Sequence, residues 1–241
     1  MPQRLGQHFL NNKTVIKKII AALDLQPGET IIEIGPGKGA LTLPLVERCV
    51  EVGCSVVAIE KDPELVNWLT GELVNKNSAR IVQGDALEEI KNQISKIKNK
   101  ESFKIVGNIP YYISGKLLRT VGELERKPSR TVLMIQKEVA ERLTAKPGRM
   151  NLLAAAVQVW ANVSVIARLK PEDFDPPPKV ESAVIVIEIK EQGNIKTGEL
   201  SNYYAFIRAA FKHPRKTLLN NLSEALEREK GGLLEVLKNL G

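Results

Sequence analysis

A glycine-rich stretch and the acidic residues around it have the types and spacing to hold a nucleoside. In IIEIGPGKGALT, glycines at 35, 37 and 39 let the backbone turn sharply and leave room for a ligand against the main chain. Glu60 ends the apolar run VVAIE, where a carboxylate can accept hydrogen bonds from both ribose hydroxyls. Asp85 could accept one from an adenine amino group. With Glu33, two residues before the first glycine, these acids predict a nucleoside pocket without an obligatory phosphate site.

Both later acids also have a structural interpretation. Glu60 could cap the turn that follows it, and Asp85 could equally be the N-cap of the next helix. The spacing G-x-G-x-G is one residue shorter than the pattern that cradles a dinucleotide pyrophosphate, and a glycine-rich turn alone is weak evidence. The acids predict a pocket because they occur together at successive strand ends.

The stretch GNIPYYIS, residues 107–114, points to the other half of a reaction. Asn108-Ile109-Pro110-Tyr111 resembles the [N/D]-[P/I/L]-P-[Y/F] motif of methyltransferases that act on an exocyclic amine. The lone pair on N6 of adenine is delocalised into the ring, so the nitrogen gains when acceptors hold both of its N–H bonds. Asn108 Oδ1 and the Ile109 carbonyl can be these acceptors, and Pro110 fixes the chain so that this carbonyl points into the pocket.

The two tyrosines of this stretch receive different interpretations. Tyr111 offers a face on which an extruded base can stack, a contact worth about 1–3 kcal/mol. Tyr112 is left open between core and pocket wall. The alternative for the whole stretch is an asparagine-led turn with core tyrosines.

The elements that must position these residues follow from the hydrophobic pattern. Short β-branched runs alternate with stretches of helical period from about residue 30 to 190, which predicts βαβ units and a mostly parallel sheet. The predicted strands are TIIEIG, SVVAIE, ARIVQGD, FKIVGN, RTVLMIQ and SAVIVIEI. Because ligands bind at the carboxyl ends of parallel strands, the acids and Asn108 should meet at one edge.

A polar break, EQGNIKTGEL, predicts a domain boundary. We expect residues 1–192 to form the catalytic domain and residues 193–241 a small all-helical domain, because the last stretch has helical period and no predicted strand.

Composition favours a globular protein with a polyanionic partner. The 241 residues are 43% hydrophobic and 26% charged, with a net charge of +7, which suggests nucleic acid; a basic but non-binding surface is the alternative. Part of this charge is clustered in FKHPRKTLLNNL, which carries Lys212, Arg215 and Lys216 and no acid.

The sequence predicts neither a metal site nor a membrane segment. Cys49 and Cys54 have no Cys or His partner at metal-ligand spacing, so we interpret both as small core residues. No signal peptide or membrane-spanning run is evident, and we expect a cytoplasmic protein.

Longer motifs add a family resemblance. The glycine turn and the acids at 60 and 85 resemble the first three motifs of class I S-adenosylmethionine-dependent methyltransferases. Together with LGQHFL, MIQKEVAERLTAKPG, LKPEDFDPPPKVESAV and FKHPRKTLLNNL, they resemble the KsgA/RsmA family of small-subunit ribosomal RNA adenine N6,N6-dimethyltransferases over nearly the whole chain. The resemblance implies a Rossmann-like class I methyltransferase sheet with helices on both faces, and S-adenosylmethionine as cofactor.

The resemblance also implies site residues. Those expected at the cofactor are His8, Leu10, Gly35, Glu60, Asp85 and Asn108, and we add Gly37, Lys61 and Ala86 beside them. Phe174 matches an aromatic position expected to sandwich the target base with Tyr111. Lys212, Arg215 and Lys216 are expected to contact RNA.

The implied substrate is 16S rRNA within the 30S subunit, at two adjacent adenosines of the 3′-terminal hairpin loop, and we expect a monomer to act on it. The helical domain is short for the family, and the resemblance implies that this domain and its basic surface dock on the ribosome. The competing hypotheses are methylation of a large-subunit rRNA adenine and an assembly-checkpoint protein in which catalysis is secondary.

Overall fold

The computed structural model of the chain describes residues 8–74, 76–99, 101–190 and 197–239, without the side chains of Tyr111, Thr197 and Gly198. The strands in this part of the chain are β1 (Phe9–Leu10), β2 (Thr30–Ile34), β3 (Ser55–Glu60), β4 (Ala79–Gln83), β5 (Phe103–Asn108), β6 (Arg130–Gln136), β7 (Ala161–Leu169), β8 (Phe174–Asp175) and β9 (Ser182–Ile189).

One seven-stranded sheet organises the fold. Its strand order is β4-β3-β2-β5-β6-β9-β7, and β1 pairs with β8 in a separate two-stranded sheet. The five strands from β4 to β6 in this order are parallel, whereas β9 lies antiparallel between β6 and β7. The predicted α/β class with a mostly parallel sheet is confirmed.

All six predicted strands belong to this sheet, but three strands were not predicted. β7 is an edge strand that is exposed through its middle and carries a bulge between Val165 and Ala167, so its hydrophobic pattern is weak. β1 and β8 have two residues each, which is too short for any periodic signal.

Helices cover both faces of the sheet. Those of the first 190 residues are α1 (Lys13–Leu23), α2 (Thr42–Val52), α3 (Pro63–Glu72), α4 (Ala86–Lys96), α5 (Ser114–Glu123), α6 (Lys137–Leu143) and α7 (Leu152–Gln158). Local chemistry sets their ends: Asp62 accepts a hydrogen bond from the backbone N–H of Glu64 at the start of α3, with Pro63 in the first position, and Gly53 ends α2 at φ 86°.

The core lies in two layers, one on each face of the sheet. Successive residues of β5 show this division, because Ile105 packs in the layer with α4 and α5, whereas Val106 packs in the layer with α1 and α2. The predicted arrangement of helices on both faces is thereby confirmed.

Residues 197–239 form three helices, α8 (Thr197–Ala210), α9 (Leu218–Leu226) and α10 (Lys230–Asn239). The predicted domain boundary after residue 192 falls outside the described residues. α8 packs into the same core layer as α5 and α7 through Leu200, Tyr204 and Ile207, and the Tyr204 hydroxyl donates to the carbonyl of Ala156 at 3.3 Å. The division into two domains stays a prediction.

Cys49 and Cys54 are both buried, and their sulfur atoms are joined in a disulfide. The sequence analysis expected the burial but not the bond. None of the described helices has both the length and the apolar character needed to cross a membrane.

Candidate active site

The carboxyl ends of the central strands surround a cavity of about 110 Å³. From the predicted cofactor set it is lined by His8, Leu10, Gly35, Gly37, Glu60 and Asn108. From the predicted acceptor set it is lined by Ile109 and Pro110. The structure therefore brings together the glycine turn, the end of β3 and the end of β5, as the position of ligand sites in parallel sheets requires.

The glycine turn presents its main chain to this cavity. Gly35 and Gly37 have φ angles of 65° and 58°, a conformation that favours glycine. A Cβ on Gly37 would lie 2.9 Å from the ring of Phe9, and one on Gly35 would lie 3.7 Å from the carbonyl oxygen of Asn108. Side chains at these positions would fill the space between the turn and the strands.

Glu60 lies at the cavity and also caps the turn that follows it, and its predicted contact with a ribose stays a prediction. It lines the cavity and is only 6% exposed. Its Oε2 accepts from the Gly37 N–H at 3.1 Å, and its Oε1 accepts from the N–H groups of Lys61 and Asp62 at 2.8 and 3.0 Å. The carboxylate thus caps its own turn and joins it to the glycine turn, which fixes its orientation toward the cavity.

Asp85, Lys61 and Ala86 do not line the cavity. Asp85 is the N-cap of α4, where it accepts from the Leu87 N–H at 3.0 Å, and it forms an ion pair with Lys61 at 3.1 Å. The hydrogen bond from Leu87 holds the pKa of the Asp85 carboxyl below its usual range. The structural alternative for Asp85 is therefore present, and its predicted contact with adenine remains a prediction.

Asn108 is held at the end of β5 by the N-terminal segment. Its Nδ2 donates to the carbonyl of His8 at 2.8 Å, so its Oδ1 is the end of the amide left to serve as an acceptor. The pairing of β5 with β6 continues to Ile109, whose N–H donates to the carbonyl of Met134 at 3.0 Å, and Pro110 is extended, with φ −53° and ψ 133°. A short 3₁₀ turn, Tyr111–Ile113, follows.

The structure gives different outcomes for the three aromatic residues of the prediction. The side chain of Tyr111 lies outside the described part of the structure. Tyr112 is 71% exposed, so its interpretation as a core residue is wrong. It does not line the cavity of about 110 Å³, and its interpretation as a pocket wall stays a prediction. Phe174 is only 4% exposed because β8 pairs with β1 and packs its ring in the core layer that contains Leu10. It does not line the cavity, and no face of it is open to a base in this arrangement.

The two-stranded sheet β1–β8 crosses the site as a strap. His8 Nδ1 donates to the carbonyl of Pro176 at 2.7 Å, and the Asn11 N–H donates to the carbonyl of Asp173 at 2.9 Å. The ring of Phe9 lies against the glycine turn, with Lys38 Nζ 4.9 Å from its centroid. Because these contacts are long-range, sequence patterns alone did not reveal the strap.

Glu33 is a further cavity residue to which the sequence gave no role of its own. It is 1% exposed, and its Oε2 has no hydrogen-bond partner among the described residues. Burial raises the pKa of this carboxyl to about 8, and the nearby Glu60 adds to the rise. The Thr42 hydroxyl opposes it but makes no hydrogen bond of good geometry. The signal in the sequence was the acid two residues before the first glycine.

The basic cluster between α8 and α9 is partly neutralised. Lys212 and Lys216 bond to the carboxylate of Glu224 at 3.0 and 2.8 Å, and His213 Nε2 also lies 3.0 Å from it. These contacts hold the pKa of the Glu224 carboxyl well below its usual range, and the hydrogen bond from Lys216 has the largest effect. The segment itself lacks an acid, as the sequence shows, but the fold brings one from α9. Arg215 has no such partner among the described residues.

No group of three or more histidine, cysteine, aspartate or glutamate side chains in the described ranges is placed to hold a metal ion. Among the described residues, the titratable side chains that line the cavity are Glu33, Glu60 and His8, and no lysine or arginine lines it. This lining suits a ligand that carries positive charge.

Comparison with protein families gives one match over almost the whole chain. Residues 2–238 match the model for ribosomal RNA adenine dimethylase. A relative from Dehalococcoides mccartyi (strain CBDB1), named ribosomal RNA small subunit methyltransferase A, is 38% identical over 237 residues, covering 98% of this chain and 79% of the relative.

Solved structures show the same architecture. A dimethyladenosine transferase from Plasmodium falciparum superposes with a TM-score of 0.78 at 25% identity, over 97% of this chain and 89% of that one. The 23S rRNA methyltransferase ErmE superposes with a TM-score of 0.72 at 24% identity, over 90% of this chain and 84% of that one. The second likeness is evidence for a shared fold alone.

Proposed function

The chain belongs to the ribosomal RNA adenine dimethylase family, and from that premise we propose that it dimethylates N6 of two adjacent adenosines in the 3′-terminal hairpin loop of 16S rRNA. The observation that carries the proposal is the placement of Asn108, Ile109 and Pro110 on the wall of the same cavity that Glu60 and the glycine turn line. One wall thus carries acceptors for an amine, and the other carries groups for a nucleoside.

The cavity residues fit S-adenosylmethionine, the cofactor of this class of enzyme, which supplies an activated methyl group on a positively charged sulfur. Glu60 is oriented to accept from ribose hydroxyls, and Gly35 and Gly37 leave the main chain accessible where a Cβ would intrude. His8 and Leu10 close the cavity from the strap. Asp85, Lys61 and Ala86 are proposed to meet the adenine end, outside the enclosed part of the site.

The acceptor half acts on the amine through two oxygens. Asn108 Oδ1 and the Ile109 carbonyl would each accept one N–H of the target N6 and so localise its lone pair as the nitrogen pyramidalises. The bond from Nδ2 to His8 fixes which end of the Asn108 amide faces the amine. Proximity and alignment then supply most of the rate, and no strong general base is required because the methyl donor is already activated.

The adenosine must be unpaired or flipped out of a helix to enter such a cavity. We propose that Tyr111 stacks on it. The predicted partner, Phe174, would have to leave its packed position under Leu10 before its ring could contact a base, which would involve a shift of the β1–β8 strap.

Docking on the 30S subunit is proposed for residues 193–241 and their basic cluster. Arg215 is the best candidate for an RNA phosphate, because Lys212 and Lys216 already share Glu224. We propose that one copy of the chain acts at a time, in the cytoplasm where its substrate matures. The names of the relatives favour the small subunit over the large-subunit alternative.

Removal of the Asn108 amide tests the assignment. Asn108→Ala should abolish methyl transfer from labelled S-adenosylmethionine to undermethylated 30S particles, because one of the two acceptors for N6 is lost, while particle binding stays nearly unchanged. Asn92→Ala, on an exposed turn of α4, is the matched control and should be fully active. Full activity in Asn108→Ala would refute its role, and loss of particle binding would indicate a docking function instead.

A further inference from the structure

Glu33 lies where the mechanism above does not use it. It occupies β2, the strand between β3 and β5, and its side chain lines the cavity close to Glu60. Only 1% of the residue is exposed, and Oε2 has no hydrogen-bond partner among the described residues. A carboxyl oxygen buried without a partner is costly, and the cost falls only when the group is neutral or when a ligand supplies the missing contact.

The surroundings of Glu33 disfavour its charge on balance, although the Thr42 hydroxyl acts in the opposite direction. Glu60 projects from β3, the Thr42 hydroxyl comes from α2 and His8 lies in the strap, while no lysine or arginine of the described residues lines the cavity. Burial raises the pKa of the Glu33 carboxyl to about 8, above its ordinary value of 4.5, and Glu60 acts in the same direction. Near neutral pH the carboxyl is therefore mostly protonated when no ligand is bound.

A cationic ligand in the cavity reverses this balance, because an opposite charge in a site shielded from water favours the ionised acid. We propose that Glu33 recognises the positive charge of the cofactor, losing its proton to solvent when S-adenosylmethionine binds and regaining one from solvent when the uncharged thioether product occupies the site. The inference rests on the proposed function, since that function supplies the cationic donor. No other bond is made or broken in this exchange.

The exchange has a consequence for turnover. The ionised Glu33 carboxylate stabilises the bound sulfonium. When the thioether is bound, no positive charge on sulfur faces Glu33, so the neutral form of the buried acid is favoured. Cofactor affinity should therefore rise with pH until the acid is ionised in the free protein, near pH 8, and then level off. Product affinity should rise much less, so the site would discriminate between donor and product by charge.

Titration calorimetry in two buffers of different ionisation enthalpy measures the protons released per ligand bound. Near neutral pH, we expect the wild-type protein to release close to one more proton with S-adenosylmethionine than Glu33→Gln does. The comparison with the variant matters because the ligand's own α-amino group also titrates near pH 8. With S-adenosylhomocysteine, wild type and variant should release the same amount. Glu72→Gln, an exposed acid on α3, is the matched control and should behave as wild type.

The affinities give an independent measure. Glu33→Gln should bind S-adenosylmethionine about tenfold or more weakly above pH 8, while its affinity for the product changes little. Its cofactor affinity should vary with pH no more than its product affinity does. Equal proton release in wild type and Glu33→Gln would overturn the inference, as would equal release with both ligands.

The experiments distinguish a failure of this inference from a failure of the proposed function. If the wild-type protein binds neither ligand, the proposed function fails and Glu33 has no cofactor to recognise. If Glu33→Gln does not fold, measurements on the wild-type protein test the proposal. Between pH 6 and 9, its affinity for S-adenosylmethionine should vary more than its affinity for the product, and an equal or smaller variation would contradict the proposal.

Discussion

At the scale of single residues, the site is built from two buried carboxyls in opposite environments. Glu60 accepts three backbone N–H groups and is held in one orientation, whereas Oε2 of Glu33 accepts no hydrogen bond from the part of the chain that the structure describes. The first can present fixed acceptors to neutral hydroxyls. The second responds to charge, because its ionised form lacks support from the protein.

Gly37 donates its N–H to Glu60 and lies against the ring of Phe9 in the strap, so its replacement gives a prediction at this scale. Gly37→Ala places a Cβ 2.9 Å from the Phe9 ring at a φ of 58°. The ring must move, so the strap should loosen and cofactor affinity should fall by about tenfold or more, with a stability loss of about 1 kcal/mol. Calorimetric titration with S-adenosylmethionine and urea unfolding measure the two effects.

A second glycine with positive φ provides a control that separates the effect of backbone strain on stability from the effect of the Cβ on the cofactor site. Gly28 has a φ of 75°, and a Cβ there would have nothing within 4 Å. Gly28→Ala should therefore lose similar stability yet bind cofactor as the wild type does. Wild-type affinity in Gly37→Ala would show that the strap and the glycine turn are not coupled.

The sequence predicted much of the site at this scale, because strand-end positions follow from the strand pattern. Glu60, Asn108 and the glycines were found in this way. It could not decide whether Asp85 caps its own helix or binds a ligand, since both kinds of acid have the same local sequence, and it did not predict the ion pair with Lys61. Nor could it predict that β8 would bury Phe174.

At the scale of elements, β5 positions the acceptor residues through its close packing on β2. A Cβ on Gly107 would lie 2.5 Å from the carbonyl oxygen of Ile34, and this backbone atom cannot move aside as a side chain would. The glycine therefore allows the central strands to reach their spacing just before Asn108.

Gly107→Ala tests this dependence. We expect it to destabilise the protein by about 3 kcal/mol in urea unfolding and to reduce methyl transfer beyond the loss of folded protein, because Asn108 shifts with the strand. Gly115→Ala is the control, since a Cβ at this position in α5 would have nothing within 4 Å and alanine favours the helix. If Gly107→Ala were as stable as Gly115→Ala, the close packing would not matter.

The elements that the sequence missed share a physical cause. β1 and β8 become strands only because they pair with each other, and their residues carry no period by which they could be recognised. β7 gains its pairing from β9 but leaves much of its length exposed. Tertiary pairing, rather than local propensity, decides these segments.

At the scale of the whole molecule, net charge predicted a polyanionic partner but not which charges are available to it. The excess of +7 is a property of the sequence, yet Glu224 neutralises much of the cluster at 212–216 after folding. α8 also packs into the core of the sheet, so the helical end and the catalytic part share one hydrophobic layer. The orientation of a docking surface relative to the cavity depends on that packing, which no local pattern contains.

The most direct test of the account is a methyl-transfer assay that offers the protein two RNA substrates with labelled S-adenosylmethionine. The account predicts incorporation into undermethylated 30S particles, with N6,N6-dimethyladenosine recovered from the 3′-terminal hairpin of the 16S rRNA after nuclease digestion, and none into naked 23S rRNA. Label found only in 23S rRNA, or no label in either RNA from a folded protein that binds the particle, would contradict it.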